Sequence, residues 1–172
     1  MKTPFPPLVI FFSLLFMAPA AQAQDPIPNR LIDYAGFQKI VETSKDERES
    51  RRLTEDAFLQ TMNEKNVVVL DARSSSMYRL RHIKGAVNLQ FTDFSAASLA
   101  GVVPDKDAKI LIYCNNNFLG DPIALFSKVP SASLNLSTYT SLKSYGYDNI
   151  YELGPLLDVN KTKIPFEGME IK

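Results

Sequence analysis

The sequence predicts an α/β protein, a three-layer α/β/α domain around a mostly parallel central sheet. Three observations carry that prediction. Val67-Val68-Val69-Leu70 and Ile110-Leu111-Ile112-Tyr113 are short, unbroken apolar runs rich in β-branched residues, the pattern of strands buried on both faces. Segments with apolar residues at helical spacing alternate with such runs along the chain. Of the 172 residues, about 149 remain after an N-terminal leader, a length that suits one domain with its own core.

The elements follow in chain order. Lys2, a nearly continuous apolar stretch over 5–17 and Ala18-Pro19-Ala20-Ala21-Gln22-Ala23 make a leader with cleavage expected after Ala23, so an exported chain, periplasmic or secreted, is expected. The apolar stretch is too short to cross a bilayer comfortably, and stable membrane insertion is not expected. Residues 25–29 are proline-rich and extended. Tyr34, Phe37, Ile40 and Val41 recur at helical spacing with Asp33 as N-cap, a helix packing on the outside of the domain. The mixed charges of 42–52 read as a solvated connection, with Arg51 and Arg52 open to ion pairing. A short helix is predicted from Thr54 to Asn63, then the strand at Val67, a helical turn around Met77 and Tyr78, and a brief strand over 86–89. A small helix over 95–100 and a surface turn over 103–107 lead to the strand at Ile110. Asp121 and Pro122 read as the N-cap and first position of a helix running over 123–129. A second helix is predicted over 138–145, stopped by Gly146. Asn149-Ile150-Tyr151-Glu152-Leu153 is the last strand, and the tail 164–168 is apolar enough to dock.

Charge narrows the partners. The chain has 19 basic and 19 acidic side chains, and loss of the leader leaves 18 against 19, so no global positive field exists to hold nucleic acid or anionic lipid. A single cysteine and a single histidine make a protein-only structural zinc site improbable, and no metal or cofactor is expected. An exported chain whose one cysteine has no partner exposes a reactive thiol unless it is buried or used.

That cysteine, Cys114, ends the second apolar strand and opens the loop Asn115-Asn116-Asn117-Phe118-Leu119-Gly120. Where loop and helix amides converge, the thiolate is favoured over the thiol. Asparagine accepts left-handed backbone angles readily, and such angles turn successive N–H groups inward as an anion-holding nest. The competing reading is a small buried hydrophobe. In sheets of this kind ligands bind beyond the carboxyl ends of the strands, where Asp71, Arg73 and Cys114 all fall. Asp71 and Arg73 read first as a structural ion pair, and His82 as the residue fixing a turn by hydrogen bonds rather than as a base for the cysteine.

Val67-Val68-Val69-Leu70-Asp71-Ala72-Arg73, then Tyr78, then His82-Ile83-Lys84-Gly85-Ala86-Val87-Asn88, resembles the opening motif of rhodanese-like domains. The order continues with Ile110–Tyr113, Cys114 and its loop, a helix, and Tyr145-Gly146-Tyr147-Asp148-Asn149-Ile150-Tyr151-Glu152-Leu153-Gly154. The resemblance covers roughly 50–157 and implies a layout of leader 1–23, an N-terminal extension with a helix over 24–48, the rhodanese-like domain over 49–157 and a tail over 158–172. It implies that Cys114 is the nucleophile of a sulfurtransferase, carrying a sulfane sulfur as a persulfide. The amides of Asn115, Asn116, Asn117, Phe118, Leu119 and Gly120 would cradle the outer sulfur, with Asp71, Arg73 and His82 as scaffold. Substrates would be a small sulfur-containing anion or a thiol or persulfide, with a protein sulfur acceptor as a further partner.

The departures carry information of their own. Met77 stands where the family usually has an acid, Arg81 where it has glycine, and Gly154-Pro155 where it has paired glycines. Residues 129–137 read as an insertion between two helices. The loop has no Lys or Arg, which favours a persulfide or organic thiol donor over thiosulfate. The alternative from another class is a rhodanese-like module that binds a partner without turnover. A phosphatase of related fold needs an arginine at the loop's end, and Gly120 stands there. A dithiol oxidoreductase needs a second, resolving cysteine.

Overall fold

The computed structural model describes residues 27–169; the leader expected over 1–23 and its cleavage point lie outside the described residues. Of the described residues, 33–169 belong to one compact unit and 27–32 to another. In the latter, Asn29 closes a turn, its carbonyl accepting from the Ile32 amide and its side chain from the Leu31 amide.

Five strands form the central sheet: β1 (Arg52–Leu53), β2 (Val67–Asp71), β4 (Val87–Asn88), β5 (Lys109–Tyr113) and β7 (Ile150–Leu153), in the order β1-β7-β5-β2-β4. Every adjacent pair is parallel, with Asp71 opposite Tyr113 and Ile112 opposite Glu152. Because side chains alternate faces along a strand, Val69, Leu111, Tyr113 and Leu153 share one core with Phe58 of α3 (Glu55–Thr61). Leu70, Ile110, Ile112 and Ile150 share the other with Leu99 of α5 (Ala96–Val102) and Tyr139 and Leu142 of α6 (Leu134–Ser144). The helices begin where side-chain oxygens can take their first free amides: Asp33 caps α1 (Tyr34–Thr43), Thr54 caps α3, Ser74 caps α4 (Ser75–Leu80) and Ser95 caps α5.

Two small sheets trim the domain. β3 (His82–Ile83) pairs antiparallel with β9 (Phe166–Glu167), so the tail docks, Ile164 buried beneath it. β6 (Phe118–Leu119) pairs with β8 (Leu157–Asp158).

The structure corrects four expectations. Residues 42–52 face solvent but are not an irregular connection: they hold α2 (Lys45–Ser50) and the edge strand β1, and Arg48 reaches the buried Glu152 at 2.6 Å. Residues 123–129 form no helix. Asp121 does cap the segment, accepting from Ile123 and Ala124 at 3.1 and 2.8 Å, but the turn ends after one cycle. The helix after Cys114 is α6, starting at Leu134, four residues before the expected start at 138. The insertion expected over 129–137 therefore does not lie between two helices: the segment 118–132 ahead of α6 holds no α-helix. The physical reason is that Phe118 and Leu119 pair with β8, which draws the chain away from the sheet end before a helix can start.

Candidate active site

Cys114 continues the extended backbone of β5 by one residue, at φ −148° and ψ −178°. It is two residues beyond Ile112 and therefore shares the face covered by α6. Its sulfur lies 3.4 Å from Oγ of Ser133, the residue that precedes the first turn of α6. The first amides of any α-helix lack intrahelical acceptors and carry the positive end of its dipole, so the sulfur sits at an electropositive helix start. That electropositive helix belongs to α6, nineteen residues further on, and not to the expected helix at 123.

The loop amides are arranged otherwise than the motif implied. Asn115–Asn117 form a single 3₁₀ turn, and none of them has positive φ; among non-glycine described residues only Asn66 does. The Asn117 amide donates to the Cys114 carbonyl at 3.1 Å and the Phe118 amide to the Asn115 carbonyl. Leu119 is in the ladder with β8, and Gly120 turns away at φ +90°. Of the amides expected to form an inward-facing ring over 115–120, those of Asn117 and Phe118 are thus taken by the loop's own turn, and Leu119 lies in the β6–β8 pair.

The three asparagine side chains instead clamp neighbouring chain. Asn115 donates to the Phe126 carbonyl. Asn116 donates to the Lys128 carbonyl at 2.8 Å and accepts from the Lys128 amide at 2.9 Å. Asn117 Oδ1 accepts from the Cys114 amide at 2.9 Å and from Asn135 at 3.1 Å, while its Nδ2 donates to the Leu153 carbonyl at 2.7 Å. Segment 118–132 is thus fastened against the cysteine loop, and Cys114 is 0 % exposed.

Asp71 and Arg73 form a buried ion pair, Nη2 to Oδ2 at 2.5 Å, with Nε also on Asp71. Arg73 further donates to the carbonyls of Ala124 at 2.9 Å and Arg81 at 2.8 Å, tying the end of β2 to segment 118–132. The Tyr113 hydroxyl donates to Asp71 and accepts from the Ile83 amide. Burial first, and the charge of Asp71 second, push the tyrosine well above its ordinary range, so it stays a donor. Burial works against the Arg73 charge, but the hydrogen bond and charge of Asp71 outweigh it and raise its pKa. His82 stacks on Tyr78 at 3.7 Å and hydrogen-bonds the Tyr78 carbonyl at 2.7 Å, on the opposite core from Cys114.

Two cavities flank the cysteine loop. One, about 300 Å³, is largely apolar and lies between the ends of β2 and β4 and segment 118–132, lined by Met77, Phe91, Phe126, Leu134, Asn115 and Lys128. The other, about 290 Å³, is polar and lies towards β7, bordered by Asn116, Ser133, Asn135, Arg48, Arg52 and Glu152. Ser133, Lys128, Arg48 and Glu152 were not legible as site residues. Glu152 alone left a signal, a carboxylate in a strand whose neighbours are apolar. Among the described residues no cluster of three metal-ligating side chains exists.

Comparison with known proteins agrees with this architecture. The profile of the family described as rhodanese-like domain matches residues 54–154. A curated relative, the tRNA uridine(34) hydroxylase of Onion yellows phytoplasma (strain OY-M), is 30 % identical over 122 residues, 68 % of this chain and 33 % of that protein. The chain thus spans about a third of the relative's length. Among solved structures, the BH2092 protein of Bacillus halodurans aligns at TM-score 0.52 and 14 % identity, over 77 % of this chain and 88 % of that one. A rhodanese with anions from E. coli aligns at TM-score 0.41 and 21 % identity, over 60 % and 99 %. With the profile match running from the cap of α3 to the residue after β7, the chain belongs to the rhodanese-like domain family.

Proposed function

We propose that this protein is an exported sulfurtransferase that carries a sulfane sulfur as a persulfide on Cys114. The observation that carries the reading is the position of the sulfur: at the carboxyl end of a central parallel strand and 3.4 Å from Ser133, at the start of an eleven-residue helix. A persulfide anion there gains from the start of α6 and the Ser133 hydroxyl what the Asn117 and Phe118 amides, already bonded within the loop, do not supply. The thiolate attacks the sulfane sulfur of a donor, the donor's S–S bond breaks, and its electron pair leaves with the donor fragment. An acceptor thiol later takes the outer sulfur. The largely apolar cavity beside Asn115, whose two cations are Lys128 and an Arg73 already paired with Asp71, suits an organic thiol or persulfide better than thiosulfate. Export rests on the Lys2 leader and cleavage after Ala23.

The test is intact mass after incubation with thiosulfate and, separately, with glutathione persulfide. Cys114 is the only cysteine of the chain, so a gain of one sulfur atom, reversed by cyanide, assigns the carrier, and Cys114→Ser must not gain it. Wild-type protein that acquires no cyanide-labile sulfur from either donor would refute the reading. One observation favours a second reading, a binding module without turnover: Cys114 is fully buried beneath a fastened segment. That reading expects no labelling by a small thiol reagent in the folded protein.

A further inference from the structure

We infer that the polar cavity on the β7 side of Cys114 selects the sulfur acceptor, and that it takes a thiol carried on a neutral amide, the chemistry of a cysteinyl peptide. The inference rests on the sulfur-carrier reading above. Two arginines beside a sulfur site suggest an anion, yet every donor nitrogen but Arg48 Nε already has an acceptor. Arg48 Nη1 is on Glu49 at 3.2 Å and Nη2 on Glu152 Oε1 at 2.6 Å. Arg52 Nε is 3.1 Å from the same Oε1, Nη1 is on Glu49 at 3.2 Å, and Nη2 donates to the Gly154 carbonyl at 3.0 Å. The arginines hold Glu152 in place.

What the protein's own groups leave without a partner is of the opposite kind. Oε2 of Glu152 and Oδ1 of Asn135 are buried acceptors with no donor, on side chains 3 and 4 % exposed that border the cavity. The one unmatched donor there is Arg48 Nε. An unpaired buried acceptor costs about 1–3 kcal/mol, so a ligand that brings an N–H is favoured. A carboxylate would meet Glu152 Oε2 as a like charge. An ammonium would approach two guanidinium groups already sharing that carboxylate. A neutral amide N–H meets neither objection, because Arg48, Arg52, Glu49 and Glu152 sum to no net charge.

Placement links the cavity to the chemistry. Ser133 both borders it and touches the Cys114 sulfur. Glu152 sits opposite Ile112, so it shares the α6 face with Cys114, one strand over. An acceptor amide held between Asn135 and Glu152 leaves its thiolate free to attack the terminal sulfur of the Cys114 persulfide. The bond from Sγ to that sulfur breaks, Sγ keeps the electron pair as a thiolate, and the acceptor leaves as its own persulfide. The acceptor thiol has given its proton to solvent, and no outside oxidant is needed.

The experiment loads Cys114 with sulfur, verifies the load by mass, and measures discharge by four thiols at equal thiolate concentration. These are N-acetylcysteamine (neutral amide), cysteamine (ammonium), 3-mercaptopropionate (carboxylate) and 2-mercaptoethanol (no amide). We expect the amide to discharge the enzyme about tenfold faster than each of the others, the worth of one to two hydrogen bonds. That preference, measured on protein whose load is verified by mass for each variant, should fall to about one in Asn135→Ala and in Glu152→Gln. A loaded enzyme that shows no amide preference, or keeps it in both variants, overturns the inference while the carrier reading stands. Wild-type protein that never loads removes both.

Discussion

Replacing Asn116 by alanine removes both hydrogen bonds that fasten Lys128, one given and one received, without touching the cysteine or its strand. Hydrogen bonds between neutral groups contribute about 0.5–1.5 kcal/mol each, and partial exposure puts this pair towards the lower half, about 1–2 kcal/mol together. If segment 118–132 opens locally, its open population rises by the same free energy, about 5- to 30-fold. Cys114 is 0 % exposed, so a small neutral thiol reagent reaches it only through such opening, and its labelling rate tracks the open population. The assay is the labelling rate of wild type and Asn116→Ala in native buffer, with urea unfolding run in parallel. Local opening raises labelling far more than it lowers the global midpoint. Labelling that changes less than twofold, or that rises only in step with global destabilisation, would show that the segment does not gate the cysteine.

Two further predictions concern buried polar groups. Tyr113→Phe takes a donor from Asp71 and leaves the buried Ile83 amide without an acceptor, so urea unfolding should show a loss of about 2–4 kcal/mol; under 1 kcal/mol would mean that the Asp71–Arg73 pair is satisfied without it. Glu152 is held above the ordinary carboxylate range mainly by burial, against the pull of Arg48 and Arg52 and with a small push from Glu49. The folded state then binds more protons than the unfolded one, so this group's contribution is fully present below the ordinary carboxylate pKa and is lost as pH rises through the raised value. Stability measured from pH 4 to 7 should fall more steeply with pH in wild type than in Glu152→Gln, and an equal or reversed slope would contradict the assignment.

The strands at Val67 and Ile110 were legible because burial on both faces leaves a continuous apolar run, and the cap residues Asp33 and Asp121 because capping is local chemistry. The parallel sheet followed from the alternation of such runs with helical spacing, and Cys114 from its place at a strand end. What the sequence alone could not resolve depended on partners distant along the chain. Whether Phe118-Leu119 continues into a helix or pairs as a strand is decided by Leu157-Asp158, roughly forty residues away, and with that pairing made no helix forms over 123–129. Likewise Arg48 reads as one charge in a solvated run until Glu152, 104 residues on, draws it in. Local propensity fixes which segments are strands and helices; which amides and charges face the sulfur is a matter of long-range pairing, in which each contact competes with water and with other partners. That competition is settled only when the whole core assembles.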